Sequence, residues 1–196
     1  MARPAGSASG REQTVYTIGH GTRTTEELAG MLREAGVNLL VDVRRFPGSR
    51  RHPHFAREAL AESLPALGVR YDWRGEELGG RRSRRRDGTS RHPAWRNDAF
   101  AGYADYMDTG PFRDALGALI EEAGAGASLA VMCAETLWWR CHRRLIADAL
   151  VLQGVEVVHL IQPGKSSGHP LNEAARRGPD GYPVYNVGVT GELPLD

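Results

Sequence analysis

The chain contains 196 residues, of which 41% are apolar and 25% are charged, a size and balance that predict one folded domain. No apolar run is long enough to span a bilayer, so we expect a soluble protein that has no membrane partner. Residues 1–13 are small and polar and lack the apolar stretch of a secretory signal, which predicts a disordered leader and a cytoplasmic location.

The first half of the chain alternates between strand and helix patterns. A short β-prone run at 15–18 ends in glycine, and Thr24 then begins an apolar helical period. Residues 37–43 form an almost continuous apolar run, which is typical of a strand buried on both faces of a parallel sheet. A helical period at 56–67 follows, and residues 69–73 are predicted to form a third strand.

A long segment without a helical or strand period separates the two halves. Residues 75–98 contain four glycines, one proline and a run with five arginines in six positions, which predicts a mobile surface loop. Residues 44–97 together hold fourteen arginines and six acidic residues, an excess of positive charge that nucleic-acid phosphates attract. Because Lys165 is the only lysine in the chain, part of this excess can reflect a general preference for arginine over lysine.

The second half of the chain shows the same alternation. Two helices are predicted between residues 100 and 120, and a buried strand at 129–132 follows them. A helix at 141–153 and a strand at 155–161 complete the regular pattern.

The alternation of strands and helices determines the predicted fold class. It indicates an α/β fold, with a single three-layer domain at 14–162 whose mostly parallel open sheet is flanked by helices. Residues 163–196 are less regular, with a short helix predicted at 171–177 and a strand at 183–187. We expect this segment to form a C-terminal extension that packs on the domain or trails from it.

Polar side chains follow three of the predicted strands. His20 follows the first strand, Arg44 closes the second, and Cys133 with Glu135 follows the strand at 129–132. Because parallel strands deliver their following loops to the same edge of a sheet, we expect these side chains to lie close together. The sequence therefore predicts a polar site at the carboxyl edge of the sheet.

Cys133 lies between a predicted strand and the start of a helix, where backbone N–H groups and the positive helix end favour a thiolate. We therefore predict that Cys133 is a catalytic nucleophile and that Glu135 or His142 is its general acid or base. Asp42 is a further candidate catalytic carboxylate. The residues predicted to bind an anion or substrate are His20, Arg44, Arg50, Arg143 and Trp138.

The same residues also have structural interpretations. A cysteine at the end of a strand is often a small buried apolar residue, and Asp42 and Arg44 can form a purely structural ion pair. His159 is expected to be a hydrogen-bonded core residue. A metal site is disfavoured because Cys133 and Cys141 are eight residues apart, whereas zinc ligands usually come in pairs about two to four residues apart. No cofactor is therefore predicted.

Several separated motifs, in this order, resemble those of the bacterial and archaeal proteins grouped as domain of unknown function 488. They are found at 16–20, 40–44, 78–80, 103–107, 132–135 and 141–143. The resemblance extends over about residues 15–177 and implies an α/β fold, but no reaction. Where many relatives have an acidic, proline-containing stretch, residues 137–140 are Leu-Trp-Trp-Arg. The site that the resemblance implies consists of His20, Asp42, Arg44, Arg50, Cys133, Glu135, His142 and Arg143.

A looser similarity is to the rhodanese-like sulfurtransferases, which share an aspartate-valine-arginine strand end and a strand-cysteine-loop-helix unit. This similarity implies that Cys133 carries a persulfide and that Arg140 or Arg143 binds the anion. The loop differs from the family pattern, because it contains two tryptophans and no glycine.

Three hypotheses about function follow. The first is an enzyme, of transferase or hydrolase or glycosylase type, that acts on a small anionic or nucleotide-like substrate. Its site would lie at the carboxyl rim of the sheet, with Cys133 and Glu135 as the candidate catalytic residues. The second is a nucleic-acid-binding or base-processing protein of repair type, and the third is a ligand-binding module without turnover. In the second hypothesis the phosphates would be contacted by Arg81, Arg82, Arg84, Arg85, Arg86 and Arg91.

Overall fold

The computed structural model of the protein describes residues 13–48 and 51–188. The predicted leader, apart from Gln13, and the last eight residues of the predicted extension lie outside this part of the chain. Within the described residues, no helix combines the length and apolar character needed to cross a membrane.

The sheet at the centre of the fold has six strands in the order β3-β2-β4-β1-β5-β6. The first five strands of this order are parallel to their neighbours, whereas β6 is antiparallel to β5. The strands span Thr14–Gly19 (β1), Leu39–Asp42 (β2), Arg70–Trp73 (β3), Leu129–Cys133 (β4), Glu156–Gln162 (β5) and Lys165–Gly168 (β6).

Five α-helices connect the strands in the described part of the chain. Their start sites follow from side-chain capping where a capping residue is available: Thr24 and Glu27 form a reciprocal capping box at the first helix, and Asn97 accepts two backbone N–H groups at the third. The helices span Thr25–Glu34 (α1), Arg57–Ala66 (α2), Asp98–Met107 (α3), Gly110–Gly124 (α4) and Arg143–Leu152 (α5).

The helices form one layer on each face of the sheet, so the predicted three-layer α/β domain is confirmed. Strand side chains alternate between two apolar cores, as the period of a strand requires. In β4, Val131 and Cys133 lie in the core that α3, α4 and α5 cover, whereas Ala130 and Met132 lie in the core that α1 and α2 cover.

The strand order brings the carboxyl ends of β2, β4 and β1 side by side. The chain moves along the sheet in one direction from β1 to β3 and then back through β4 to β5, and right-handed crossovers put the two sets of helices on opposite faces. Ladder-like hydrogen bonds continue past the strands: Val43 N donates to Met132 O at 3.0 Å, and His20 N donates to Cys133 O at 3.0 Å. Loops that follow these three strands therefore meet at one edge.

The segment between β3 and α3 is irregular, as predicted, but it is not a surface loop throughout. Gly75 and residues 78–80 are buried, and His92 is 1% exposed. A Cβ at position 75 would lie 2.0 Å from the backbone oxygen of Arg44, so only glycine allows the chain to pass this close to the end of β2. The first part of the segment therefore forms a wall beside the carboxyl edge.

The prediction of a helix at 171–177 is wrong. Ala175–Arg177 is a strand, β7, which pairs with the predicted final strand, here Pro183–Tyr185 (β8), in a separate antiparallel hairpin. Burial of Ala175 and Tyr185 against the domain decides this conformation, because tertiary packing overrides a weak local helical pattern. The short strand β6 was not predicted either.

A network of buried, hydrogen-bonded side chains attaches residues 163–188 to the domain. Asp148 on α5 accepts hydrogen bonds from His169 Nε2 and from the Tyr185 hydroxyl, each at 2.9 Å. A carboxylate can only accept, so His169 Nε2 carries a proton, and the second ring nitrogen, Nδ1, lies 2.9 Å from His159 Nε2. His159 Nδ1 then accepts from the Thr17 hydroxyl at 2.6 Å. Burial and the neighbouring charges lower the pKa of His159, so this ring is neutral, and His159 is a hydrogen-bonded core residue.

This network of hydrogen-bonded side chains makes the stability of the protein depend on pH. Burial, together with the nearby His169 and Arg143, lowers the pKa of His159 from 6.5 to about 3. Between these values the unfolded chain binds a proton that the folded chain does not, so the free energy of unfolding falls as the pH falls, by up to about 1.4 kcal/mol per pH unit. In His159→Gln we expect the free energy of unfolding to depend less steeply on pH between about pH 6.5 and about pH 4, as measured by urea unfolding. The exposed-ring control His54→Gln should keep the wild-type slope, and an unchanged slope in His159→Gln would contradict the assignment.

Candidate functional site

A pocket of about 430 Å³ opens where the ends of β2 and β4 meet the start of α5. Its volume lies within the range of small-molecule sites. Its wall includes parts of the irregular segment and of α3. The lining residues are Arg44, Arg45, Phe46, Gly80, Arg81, Asn97, Ala99, Phe100, Tyr103, Cys133, Ala134, Glu135, Arg140, Cys141 and His142.

Two cysteines and a histidine converge in the pocket lining. His142 Nδ1 lies 3.6 Å from Cys141 Sγ and 3.9 Å from Cys133 Sγ, and the three donor atoms all lie within 4.8 Å of one another. His142 Nε2 lies 3.2 Å from the backbone oxygen of Val43. A carbonyl oxygen can only accept, so Nε2 carries a proton, and Nδ1 faces the two sulfurs. In the described part of the chain, these three side chains are the group suited to hold a metal ion.

The two thiols are not equivalent. The neighbouring Cys141 sulfur and burial both raise the pKa of Cys133 well above its usual range. Burial also disfavours a Cys141 thiolate, but hydrogen bonds from Cys133 and His142 outweigh it and lower the pKa of Cys141. The pKa of the strand-end cysteine is therefore raised and not lowered as predicted, because Cys133 donates a hydrogen bond to Cys141 and is itself buried.

Buried Arg143 holds the loop between β4 and α5 in place. Its Nη2 donates to the backbone oxygen of Glu135 at 2.6 Å, and its Nη1 donates to the Thr17 hydroxyl at 3.3 Å. The loop also packs tightly on β1, where a Cβ at Gly19 would lie 2.0 Å from the same oxygen of Glu135. After this contact a short 3-10 turn at Trp138–Arg140 returns the chain to Cys141, whose backbone N–H donates to Trp138 O at 3.1 Å.

Behind the pocket, Asp42 and Arg44 form a buried ion pair. Asp42 is fully buried and accepts from Arg44 Nε at 2.9 Å, from Arg44 Nη2 at 2.5 Å and from the Tyr71 hydroxyl at 2.8 Å. Arg44 also donates from Nη2 to the backbone oxygen of Phe55 at 2.8 Å and from Nη1 to His20 Nε2 at 3.2 Å. Burial, followed by the charge of Arg44, lowers the pKa of His20 to about 4, which keeps this ring neutral.

The structure brings together only part of the predicted site. Cys133, Glu135, His142 and Arg44 line the pocket, although most donors of Arg44 are used by Asp42, Phe55 and His20. The other described candidates are not among the lining residues: Asp42 and His20 lie behind the ion pair, and Arg143 binds the loop backbone. Trp138 stacks on His159 at a ring separation of 4.3 Å. Predicted contacts of these four with a substrate have no support in the geometry, and Arg50 lies outside the described residues.

Several pocket residues, among them Cys141, Arg45 and Arg81, were absent from the predicted catalytic and substrate-binding set. Cys141 was considered only as a disfavoured metal ligand, and Arg45 was not considered. Arg81 was assigned to nucleic acid, but it lines the pocket and has the one positive φ, 58°, among the described non-glycine residues. The adjacency of Cys141 to His142 was the signal available in the sequence, because a thiol beside an imidazole is a common reactive pair.

Most other arginines of the basic segment make contacts within the protein. Arg82 donates to Gly79 O at 2.9 Å and lies over the ring of Tyr106. Arg84 pairs with Asp98, the Arg85 side chain donates to Asp105 O, and Arg91 pairs with Asp108 and Asp180. These arginines position the segment, which reduces the positive charge available to a nucleic acid.

Comparison with known proteins gives one match. The model of a family described as domain of unknown function DUF488 matches residues 24–150, about two thirds of the chain. No curated protein and no solved structure matches. The match excludes β1 and the C-terminal segment, and the similarity to rhodanese-like proteins is not shown.

The buried ion pair predicts a large cost for Asp42→Asn. Loss of this carboxylate leaves the Arg44 charge buried without a counter-ion, so we expect the free energy of unfolding to fall by about 3–5 kcal/mol. Denaturant unfolding at neutral pH measures this change. The matched control is Asp72→Asn, which removes the ion pair between Asp72 and Arg74. The Asp72 side chain is 43% exposed, so this change should lower the free energy of unfolding by about 1 kcal/mol or less. Equal costs in the two variants would contradict the assignment.

Proposed function

This chain belongs to the DUF488 family, whose description assigns no reaction, and we propose that it is an enzyme acting on a small anionic or nucleotide-like substrate in the pocket. The observation that carries the proposal is the convergence of Cys133, Cys141 and His142 in a cavity that arginines surround. Polar groups that meet in a concave site with perturbed pKa values are typical of catalytic centres.

The charge of the pocket favours an anionic substrate. Four arginines line it, whereas Glu135 is the one carboxylate among the lining residues. Arg81 and Arg140 are exposed, and their guanidinium groups can bind phosphate or carboxylate oxygens through paired hydrogen bonds. The positive φ of Arg81 is a costly conformation for a side-chain-bearing residue, and it supports a requirement for this side chain in the pocket.

An exposed aromatic ring in the lining favours a substrate with a planar base. Phe46 is 65% exposed, although burial of such a ring is strongly favourable. The guanidinium carbons of Arg45 and Arg81 lie 5.6 Å and 5.9 Å from the centre of this ring. A base stacked on Phe46 would place its attached phosphate near these arginines, since stacking and charge act together in nucleotide sites.

The reacting groups are proposed to be Cys133, Cys141 and His142, which lie in the lining beside Arg44. Glu135 is exposed and is the candidate general acid or base, because its side chain can reach a substrate while its backbone is held by Arg143. The nucleic-acid hypothesis has weaker support, since four of its six arginines make hydrogen bonds or ion pairs within the protein.

Substrate class is tested with adenosine monophosphate as the probe, in calorimetric titrations at fixed salt. We expect Arg81→Ala and Arg140→Ala to weaken binding at least about tenfold each, the loss expected for a hydrogen bond to a charged group. The matched control is Arg86→Ala, which is exposed in the same arginine run but absent from the lining and should bind as the wild type does.

Absence of binding to adenosine monophosphate and to inorganic phosphate would overturn the anionic substrate. Binding of oligonucleotides alone, with steep salt dependence and sensitivity to Arg84→Ala and Arg86→Ala, would instead support the nucleic-acid hypothesis.

Turnover is tested by incubating the protein with a panel of nucleotides and phosphate esters and following conversion by mass spectrometry. We expect Cys141→Ala and Cys133→Ala to abolish conversion while the affinity for adenosine monophosphate changes little, because these side chains react rather than bind. Binding without conversion of any panel member would support the non-catalytic module, and full conversion by both variants would exclude the two thiols from the reaction.

A further inference from the structure

We propose that Cys133, Cys141 and His142 bind one zinc ion and leave its fourth coordination position open to the pocket. The catalytic meaning of this site rests on the proposed function, in which the three side chains would then act through the ion that they hold and not as free nucleophiles or bases. Metal binding itself can be measured without a substrate.

The spacing of the three donor atoms is close to that of a tetrahedral ion, since all three lie within 4.8 Å of one another. Zinc binds thiolate sulfur at about 2.3 Å and imidazole nitrogen at about 2.0–2.1 Å, so donors on one tetrahedron lie roughly 3.5–3.8 Å apart. The observed separations from His142 Nδ1 are 3.6 Å to Cys141 Sγ and 3.9 Å to Cys133 Sγ. Small side-chain rotations are therefore enough to bring all three atoms to coordination distance.

The orientation of His142 also fits a metal ligand. Metal-binding histidines usually donate their second ring N–H to a carboxylate or backbone carbonyl, which fixes the tautomer and directs the other nitrogen at the ion. His142 Nε2 donates to Val43 O at 3.2 Å, and this leaves the lone pair of Nδ1 for the ion. The ring is held from the sides by Tyr103, at a centroid distance of 4.9 Å, and by Gly80, where a Cβ would lie 2.9 Å from Nδ1.

The donor set selects the class of metal. Two sulfurs and one imidazole nitrogen suit zinc, whereas magnesium and calcium require oxygen ligands. Two thiolates balance the charge of a divalent ion, so the ion would leave the positive charge of the pocket arginines unchanged. Both cysteines are free and buried, and a bound ion would stabilise thiolates that burial alone disfavours.

The fold removes the objection that the sequence raised against a metal. Cys133 and Cys141 are eight residues apart, but the loop that joins them leaves the end of β4 and returns through the 3-10 turn to the start of α5. This return brings Cys141 and its neighbour His142 back beside Cys133. Three-dimensional proximity, and not sequence spacing, determines whether ligands can share an ion.

The number of ligands points to a catalytic ion and not a structural one. Structural zinc sites are closed by four protein ligands, whereas catalytic sites use three and keep one position for water or substrate. Cys133, Cys141 and His142 are the three, and all line the pocket together with Glu135. When bound, the ion would supply an acidic water or a polarising contact for a substrate oxygen.

The test uses untagged, fully reduced full-length protein, stripped of metal with a chelator and titrated with Zn(II) or Co(II). We expect one tightly bound equivalent and, for Co(II), thiolate-to-cobalt charge-transfer absorption with the visible bands of a tetrahedral ion. Zn(II) should also protect both cysteines from N-ethylmaleimide, as read by mass spectrometry. Cys141→Ser and His142→Ala should lose the bound equivalent, while the matched control His54→Ala, at an exposed histidine, should keep it.

A wild-type protein that binds no Co(II) through sulfur, or variants that bind zinc as tightly as the wild type, would overturn the proposal. The cobalt spectrum of the wild type gives this answer even if a variant fails to fold. The two proposals also fail separately: metal binding without affinity for adenosine monophosphate overturns the substrate class alone, and affinity for adenosine monophosphate without metal binding overturns the zinc site alone.

Discussion

The buried guanidinium of Arg143 connects the parts of this protein on which the site depends. It is 1% exposed and donates to the backbone of the loop after β4 and to Thr17 on β1. Thr17 in turn begins the hydrogen-bonded chain through His159 and His169 to Asp148. One side chain therefore holds the loop between Cys133 and Cys141 against the sheet and links it to the C-terminal segment. Burial of this charge is costly, and these hydrogen bonds from Nη1 and Nη2 offset part of the cost, whereas Nε has no hydrogen-bond partner in the described part of the chain.

Two buried polar networks support the pocket from behind, and of their side chains Arg44 also reaches the lining. One is the Asp42–Arg44 pair with its partners, and the other is the chain that begins at Arg143. Both use side chains that, in the sequence, resemble catalytic or anion-binding residues. Their hydrogen bonds to backbone oxygens fix the loops after β2 and β4, so the residues that do line the pocket keep a defined geometry. Such support from behind is what a reactive site requires.

The pocket combines features that favour chemistry on an anion. Its paired thiols and imidazole lie in a partly enclosed cavity, where electrostatic interactions are stronger than in water. Arginines surround them, and one exposed aromatic ring extends the surface available to a base. A zinc ion on Cys133, Cys141 and His142 would unite these features, because it adds a centre that polarises an oxygen beside groups that bind its negative charge.

The sequence by itself determined the layered α/β fold and the edge of the sheet at which the candidate site was expected, because both follow from local periods and from the geometry of parallel strands. The alternation of apolar runs predicted the first five strands, and the residues after the strands predicted Cys133, Glu135, His142 and Arg44 in one place. Only the tertiary structure decided which of these polar residues face the pocket. Asp42, His20, Arg143 and Trp138 have the same residue types whether they contact a substrate or a neighbouring loop, and the choice depends on partners that are distant in the chain. The helix predicted at 171–177 failed for the same reason, since packing brings together residues that no local pattern relates. The same packing places Cys133, Cys141 and His142 close together despite their spacing in the sequence.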